Sequence, residues 1–230
     1  MTARAAIYFT PPRNSGLAAF AASWLGRDVA AGRDVPRCAI PGIDAACQET
    51  ITASPRRYGF HATLKAPFGL AAGCCLEDVH HALANFVAGR PAIEGPPLVF
   101  GDLYGFLALT LSEPSPVIDR LAGDCVEAFE RFRAPLSDRD IARRREADLT
   151  PGQDELMQRW GYPYVFGEFR FHMTLTERLS EAERQTVRVA LAPHVAPFCR
   201  APLMLDGVSL VAQADRSAPF ALVERFALQG

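Results

Sequence analysis

Hydrophobic and polar positions along the chain form short blocks that predict a mixture of strands and helices. Strands are predicted where β-branched and aromatic residues alternate with polar ones between turn residues, at 5–9, 59–64, 98–103, 106–111, 168–176, 203–211 and 221–228. Helices are predicted where apolar residues recur with a helical period, at 17–25, 76–88, 117–132, 153–160 and 181–191. Residues 26–55 are rich in Gly, Pro and Asp, and they predict a loop with at most one short helix.

The predicted elements repeat, because strand, helix, strand and strand occur twice in that order. The repeats start at Phe60-His61-Ala62-Thr63-Leu64 and at Phe171-His172-Met173-Thr174-Leu175, so two of the five histidines lie in a His-x-Thr-Leu motif. The duplication predicts an α+β fold with two lobes related by a pseudo-two-fold axis, and mainly antiparallel sheets facing a central cleft. We expect one domain over 1–230, with repeats at about 1–115 and 116–230.

The alternation of side chains along a strand places the residues of each motif on a common face. His61, Thr63 and Lys65 share one face of the first strand. Each is about 7 Å along the strand from the next. On the second strand, Arg170, His172 and Thr174 share the corresponding polar face. If the lobes pack about a pseudo-two-fold axis, both polar faces line one cleft.

These residue types suit acid–base chemistry on a phosphate ester. Imidazole titrates near neutrality, so one histidine can be neutral while its twin is protonated, as general base and general acid require. Threonine hydroxyls and cationic side chains can donate hydrogen bonds to phosphate oxygens. No carboxylate accompanies either motif at the spacing of metal ligands, so neither a metal nor another cofactor is predicted.

At these residues the chain resembles the 2H phosphoesterase superfamily, which is defined by two His-x-Thr/Ser-hydrophobic motifs on duplicated lobes. The flanks Arg57-Tyr58-Gly59 and Trp160-Gly161-Tyr162-Pro163-Tyr164 are similar to a branch associated with phosphonate-metabolism operons, and that similarity runs along nearly the whole chain. The resemblance implies metal-independent action on a cyclic or linear phosphodiester. It also implies acid–base roles for His61 and His172, and phosphate binding by Thr63 and Thr174.

Other candidates for substrate binding each have a structural alternative. Lys65, the only lysine in the chain, either enters the cleft or lies at a solvated strand end. Arg170 either binds substrate or pairs with Glu168. Tyr8 either borders the cleft or belongs to the core. Arg57 either contacts the substrate or lies on the surface. The arginine-rich segment 139–145 is interpreted as a solvated helix or loop, with a lid over an anionic substrate as the alternative. His80-His81, near Glu77, is interpreted as part of an ordinary amphipathic helix.

The composition of the chain indicates its compartment and the kinds of molecule that it can bind. The chain has 24 basic and 26 acidic residues, a net charge of −2 and six cysteines without a CxxC pair. We therefore expect a cytoplasmic protein with reduced thiols, no membrane span or signal peptide, and a small phosphorylated metabolite as its substrate. Long nucleic acid is disfavoured because a basic excess is absent, and a monomer is plausible. The alternatives are an RNA 2′,3′-cyclic phosphodiesterase or ligase-type enzyme, and a non-catalytic nucleotide or phosphate-ester binding module.

Overall fold

An eight-stranded antiparallel sheet lies at the centre of the computed structural model, which describes residues 3–229. The strands are β1 (Arg4–Phe9), β2 (Arg27–Asp28), β3 (Arg33–Asp34), β4 (Ala62–Gly69), β5 (Ile93–Leu103), β6 (Phe106–Leu111), β7 (His172–Arg178), β8 (Pro202–Leu205), β9 (Gly207–Gln213) and β10 (Ala221–Ala227). The large sheet has the order β10-β9-β1-β4-β7-β6-β5-β8, and β2 pairs separately with β3. The predicted α+β class with mainly antiparallel strands is confirmed.

Eight α-helices connect these strands within residues 3–229. They are α1 (Gly16–Leu25), α2 (Ala45–Ile51), α3 (Ala53–Tyr58), α4 (Leu76–Val87), α5 (Pro116–Ala128), α6 (Asp138–Arg145), α7 (Pro151–Trp160) and α8 (Glu181–Val195). Local sequence sets their ends: Ser15 caps α1 by accepting a hydrogen bond from the Ala18 N–H, and Thr150 and Gln153 form a capping box on α7. None of the helices in this range has both the length and the apolar character needed to cross a bilayer.

Several elements differ from the sequence prediction. The segment 26–55 contains α2 and the start of α3. The arginine-rich segment forms α6, capped by Ser137, which is one of the two structures that its sequence allowed. The predicted strand at 203–211 is two strands, β8 and β9, which pair with opposite ends of the sheet. Periodicity alone did not reveal the break between them, because both strands are rich in apolar residues.

The two halves of the chain exchange strands across the sheet. Strands β5 and β6, from the first half, lie beside β7, whereas β9 and β10, from the second half, lie beside β1. Each side of the sheet is therefore built from both sequence repeats, so the lobes do not coincide with the contiguous segments 1–115 and 116–230. The two motif strands, β4 and β7, lie next to each other at the centre.

Burial differs between the two faces of the sheet. Ala5, Ile7 and Phe9 of β1 belong to the main core, which also contains apolar residues of α1, α4, α5 and α8. Ala6 and Tyr8 alternate with them and pack in a smaller cluster with Val211 and Phe220. These four helices thus pack on one face, and the other face carries the motif side chains.

Candidate active site

The pairing of β4 with β7 brings the two His-x-Thr motifs together. Ala62 lies directly opposite Met173. Because the strands are antiparallel, this register places His61 across from Thr174, and Thr63 across from His172. The four side chains lie on one face, while Ala62 and Met173, both fully buried, point to the core. The sequence prediction of a shared polar face for the two motifs therefore agrees with this geometry.

His61 is held on several sides. Its Nδ1 atom lies 2.8 Å from the Gly59 carbonyl oxygen, and since a carbonyl can only accept, Nδ1 is the protonated nitrogen of the neutral ring. Its Nε2 atom therefore accepts the Thr63 hydroxyl at 3.1 Å. The ring stacks on Tyr8 with 3.6 Å between centroids. Burial lowers the pKa of His61 to about 4; the hydrogen bond to Gly59 opposes this shift, and the charge of His172 adds to it.

Gly59 has a backbone conformation that allows this arrangement. Its φ is +75°, and a Cβ built there would lie 2.5 Å from the Cβ of Val29. A side chain at this position would therefore force either the backbone or Val29 to move. The glycine is required for the carbonyl that orients His61.

His172 has the same tautomer in more open surroundings. Its Nδ1 atom donates to the Arg170 carbonyl at 2.8 Å, which leaves Nε2 as the acceptor nitrogen of the neutral ring. Among residues 3–229, Nε2 of His172 has no hydrogen-bond partner. The nearest aromatic neighbour is Phe106, at 5.7 Å between centroids. Burial lowers the pKa of His172, and the hydrogen bond to Arg170 opposes this shift.

Two adjoining cavities lie over the motif strands. One, of about 360 Å³, is lined by Thr63 and His172, and the other, of about 260 Å³, by His61 and Thr174. Phe106 and Arg178 line both, so they stand at the junction between the two halves of the cleft. Sequence reasoning missed these two residues. The sequence could have indicated Arg178, because every second residue from His172 through Thr174 leads to position 178. The predicted strand ended too early, at Thr176.

The other predicted site residues are placed differently from one another. Tyr8 is buried against His61. Arg170 lines the His172 side of the cleft, where its guanidinium donates to the carbonyls of Gly167 and Phe169; Glu168 instead accepts from Gln153. Arg57 is exposed at the end of α3 and lines neither cavity.

Lys65 is not brought to the histidines. Its side chain is 3% exposed, and its ammonium donates to the Val126 carbonyl at 2.8 Å and to Glu130 at 3.0 Å. The reason lies in the register: Thr63 pairs with Tyr8, but Lys65 pairs with Ile7, so β4 has one extra residue between them. This bulge breaks the two-residue alternation on which the prediction depended. Lys65 is also not a solvated strand end.

A cluster of potential metal ligands lies apart from the cleft. Glu77, His80 and His81 of α4 have ligand atoms within 4.8 Å of one another. His80 also contacts Glu224, with 2.6 Å between its Nε2 atom and the carboxylate. Within residues 3–229 this is the one such cluster, and its ligands come from a single helix with two of the three exposed.

The arrangement around β4 and β7 can bind and act on a small anion. The imidazoles and hydroxyls of the two motifs lie on one face, and Arg178 lines both parts of the cleft. Neutral Nε2 can accept a proton, and protonated Nε2 can donate one. Hydroxyl and guanidinium donors suit tetrahedral oxyanions.

Fold and cleft together define an α+β protein with a duplicated two-histidine site. By sequence the chain belongs to the family described as "Protein of unknown function (DUF1045)", whose model matches residues 63–221.

The curated relatives that this chain matches are longer than the chain itself. Over 231 residues it is 41% identical to "Ribose 1,5-bisphosphate phosphokinase PhnN" of Janthinobacterium sp. (strain Marseille), which covers 99% of this chain and 51% of that protein. A protein with the same name from Laribacter hongkongensis (strain HLHK9) is 35% identical, over 95% of this chain and 50% of that protein. The chain thus spans about half the length of these relatives. Among solved structures, E. coli LigT complexed with 3′-AMP is similar at 15% identity and a TM-score of 0.46, with 100% of each chain covered.

Proposed function

We propose that the protein is a phosphodiesterase that hydrolyses a cyclic or linear phosphodiester of a small metabolite without a metal ion. The observation that carries this proposal is the register of β4 and β7, which sets two imidazole Nε2 atoms and two threonine hydroxyls around one cleft. The 2H phosphoesterase resemblance of the two motifs supports the same reaction class.

In this reaction one histidine Nε2 removes a proton from water as the water oxygen forms a bond to phosphorus. The other histidine, protonated at Nε2, gives its proton to the leaving oxygen as the bond between phosphorus and that oxygen breaks. Thr174 donates to a non-bridging oxygen, and Thr63 does so once its hydroxyl turns from His61 Nε2 to the bound phosphate, which frees that nitrogen to act on water. Arg178 stabilises the charge that these oxygens carry. The Gly59 and Arg170 carbonyls keep both Nδ1 atoms protonated, so that Nε2 is the reacting atom on each ring.

The carboxylates that border the cleft are already engaged. Glu168 accepts a hydrogen bond from the Gln153 amide at 2.8 Å, and Glu177 accepts one from the Ser54 N–H at 2.8 Å. This donor set lacks the convergent carboxylates and histidines of a hydrolytic metal centre, which favours acid–base catalysis by the two imidazoles.

The relatives' names favour a phosphorylated sugar among possible substrates and fit a role in phosphonate metabolism. Their phosphokinase activity is not proposed for this chain. A Gly-x4-Gly-Lys-Ser/Thr loop would need a lysine after glycine, and the only lysine, Lys65, follows Leu64.

The test is hydrolysis of a panel of cyclic and linear phosphodiesters in EDTA. We expect turnover by the wild type, and a loss of about 10²–10⁴-fold in kcat for His61→Ala and for His172→Ala. His81→Ala is the matched control, because His81 is exposed on α4 away from the cleft.

Four outcomes would contradict the proposal. Turnover that survives both substitutions would refute the two-histidine mechanism, and activity lost on chelation would indicate a metal. Retention of phosphate esters without turnover would indicate a binding module. Preferential turnover of oligonucleotides with 2′,3′-cyclic ends would replace the small metabolite with RNA as the substrate.

A further inference from the structure

A basic cavity of about 390 Å³ lies beside the two-histidine cleft. Six cationic side chains line it: Arg4, Lys65, Arg133, Arg143, Arg144 and Arg216. The cavity shares Ala66, Val126, Tyr162 and Val165 with the part of the cleft that contains Thr63 and His172. The two cavities therefore adjoin, and a molecule that occupied both would contact these shared residues.

The charges in this cavity are only partly balanced. Lys65 and Arg133 share the carboxylate of Glu130, at 3.0 and 2.6 Å. Arg143 and Arg216 share Asp140, at 3.1 and 2.8 Å. Within residues 3–229, Arg4 and Arg144 have no carboxylate partner. Positive charge is therefore left over in a chain whose net charge is −2, which is the electrostatic signature of an anion site.

Arg144 has the geometry of a ligand-binding residue. It projects from α6 with its guanidinium 5.2 Å from the centre of the Tyr162 ring. Its Nε atom is buried without a hydrogen-bond partner in the described range, which leaves a donor of a cationic group unsatisfied. Burial, together with the charges of Arg143 and Arg4, lowers the pKa of Arg144. An anion at this position would satisfy the donor and offset the repulsion.

Arg4 is arranged in a similar way. Its guanidinium is held by the Gln213 side-chain oxygen, at 2.8 Å from Nε and 2.5 Å from a terminal nitrogen. Burial lowers the pKa of Arg4 too, and the charges of Arg216 and Arg143 act in the same direction. Arg4 and Arg144, from β1 and α6, thus supply two fixed cations to one cavity.

We propose that this cavity binds a second anionic group of the substrate, of the phosphate monoester class, while the phosphodiester lies between His61 and His172. The substrate is then a small molecule with two separate phosphate groups, one esterified twice and one esterified once. This inference rests on the proposed function for the identity of the reacting group. The α6 arginines form a wall of this subsite.

A pair of probes tests the subsite: adenosine 2′,3′-cyclic phosphate, and the same compound with an added 5′-phosphate. We expect the wild type to favour the 5′-phosphorylated probe at least tenfold in kcat/KM. In Arg144→Met this ratio should fall about tenfold, towards one, because charge-assisted hydrogen bonds to the second phosphate are lost. Arg139→Met, an exposed arginine on the same helix outside the cavity, should keep the wild-type ratio. Arg144→Lys serves as a second variant if the methionine protein does not fold, and it should keep part of the preference.

A binding measurement separates this inference from the proposed function. Calorimetric titration of both probes into His172→Ala should show the same preference for the 5′-phosphate, and its loss in His172→Ala/Arg144→Met. Equal hydrolysis of both probes by the wild type would refute the subsite and leave the phosphodiesterase in place. Binding that depends on Arg144 and the 5′-phosphate, with no hydrolysis by the wild type, would support the subsite and refute the proposed function.

Discussion

The two sides of the cleft carry the same motif in different surroundings. The strand neighbour of Thr63 on β1 is Tyr8, which stacks on His61, whereas the strand neighbour of Thr174 on β6 is Ala108. His61 has a partner for each ring nitrogen, and His172 has one only for Nδ1. Duplication has thus kept the reacting atoms and the tautomer while the neighbours diverged. Two copies of one motif can therefore hold different protonation states, which paired acid–base catalysis requires.

Within the proposed mechanism, we expect this difference to separate the two roles. His61, with a pKa of about 4, is neutral near pH 7 and suits the general base. His172 has an open Nε2 and, with a phosphodiester anion bound beside it, suits the general acid.

The largest effects on the rate are expected from replacing His61 and His172 one at a time. In the wild type, kcat/KM should follow a bell-shaped pH profile. Each single variant should be about 10²–10⁴-fold slower than the wild type. The remaining activity of His61→Ala should no longer decline at low pH, and the remaining activity of His172→Ala should no longer decline at high pH. Steady-state rates between about pH 3 and pH 9 measure both, because the decline at low pH is centred on the His61 pKa of about 4. The opposite pattern would exchange the two roles, and a flat wild-type profile would argue against paired imidazoles.

An intermediate effect is expected at Gly59. Gly59→Ala places a Cβ against Val29 at positive φ, so the carbonyl that orients His61 must shift. We expect kcat to fall about 10–100-fold, with KM changed much less, because a misplaced base slows the chemical step. Gly167→Ala, near His172, is the control, since a Cβ there meets no atom within 4 Å. Equal rates in the two variants would show that Gly59 does not position His61.

The smallest effect is on stability in acid. The unfolded chain protonates His61 near pH 6.5, whereas the folded chain does so only near pH 4. Stability from this group is therefore complete above pH 6.5 and decreases as the pH falls towards 4, by at most about 3 kcal/mol. Urea unfolding at pH 7.5, 6.5, 5.5 and 4.5 should show a shallower pH dependence for His61→Gln than for the wild type. His81→Gln should match the wild type, and an unchanged slope in His61→Gln would contradict the assigned pKa.

The sequence predicted the centre of the molecule well because local rules apply there. Alternation through His61 and Thr63, and through His172 and Thr174, is a property of single strands, and it led to the shared face. The rule failed at Lys65, since a bulge depends on pairing with β1 and not on β4 alone. The strand exchange was also hidden, because strand order is set by contacts distant in sequence.

The basic cavity likewise could not be predicted from patterns in the sequence. Arg4 and Arg144 are 140 positions apart in the printed sequence, and no spacing rule connects them. The arginine-rich segment could be interpreted as solvated or as a lid, and only the packing of α6 near Tyr162 distinguishes the half-buried Arg144 from the exposed Arg139. Such sites arise from the tertiary fold, which periodicity does not encode.

The exchanged strands also determine when the site can form during synthesis. Strand β1 pairs with β9, so that Arg4 meets Gln213 across the sheet, and β1 must wait during synthesis until β9 has left the ribosome. Contacts with so long a sequence separation slow folding and make it cooperative. Until the β9–β10 hairpin arrives, Tyr8 lacks its apolar neighbours Val211 and Phe220, and the stacking surface for His61 is not fixed. Any truncation that removes this hairpin should therefore abolish the active site along with the sheet edge.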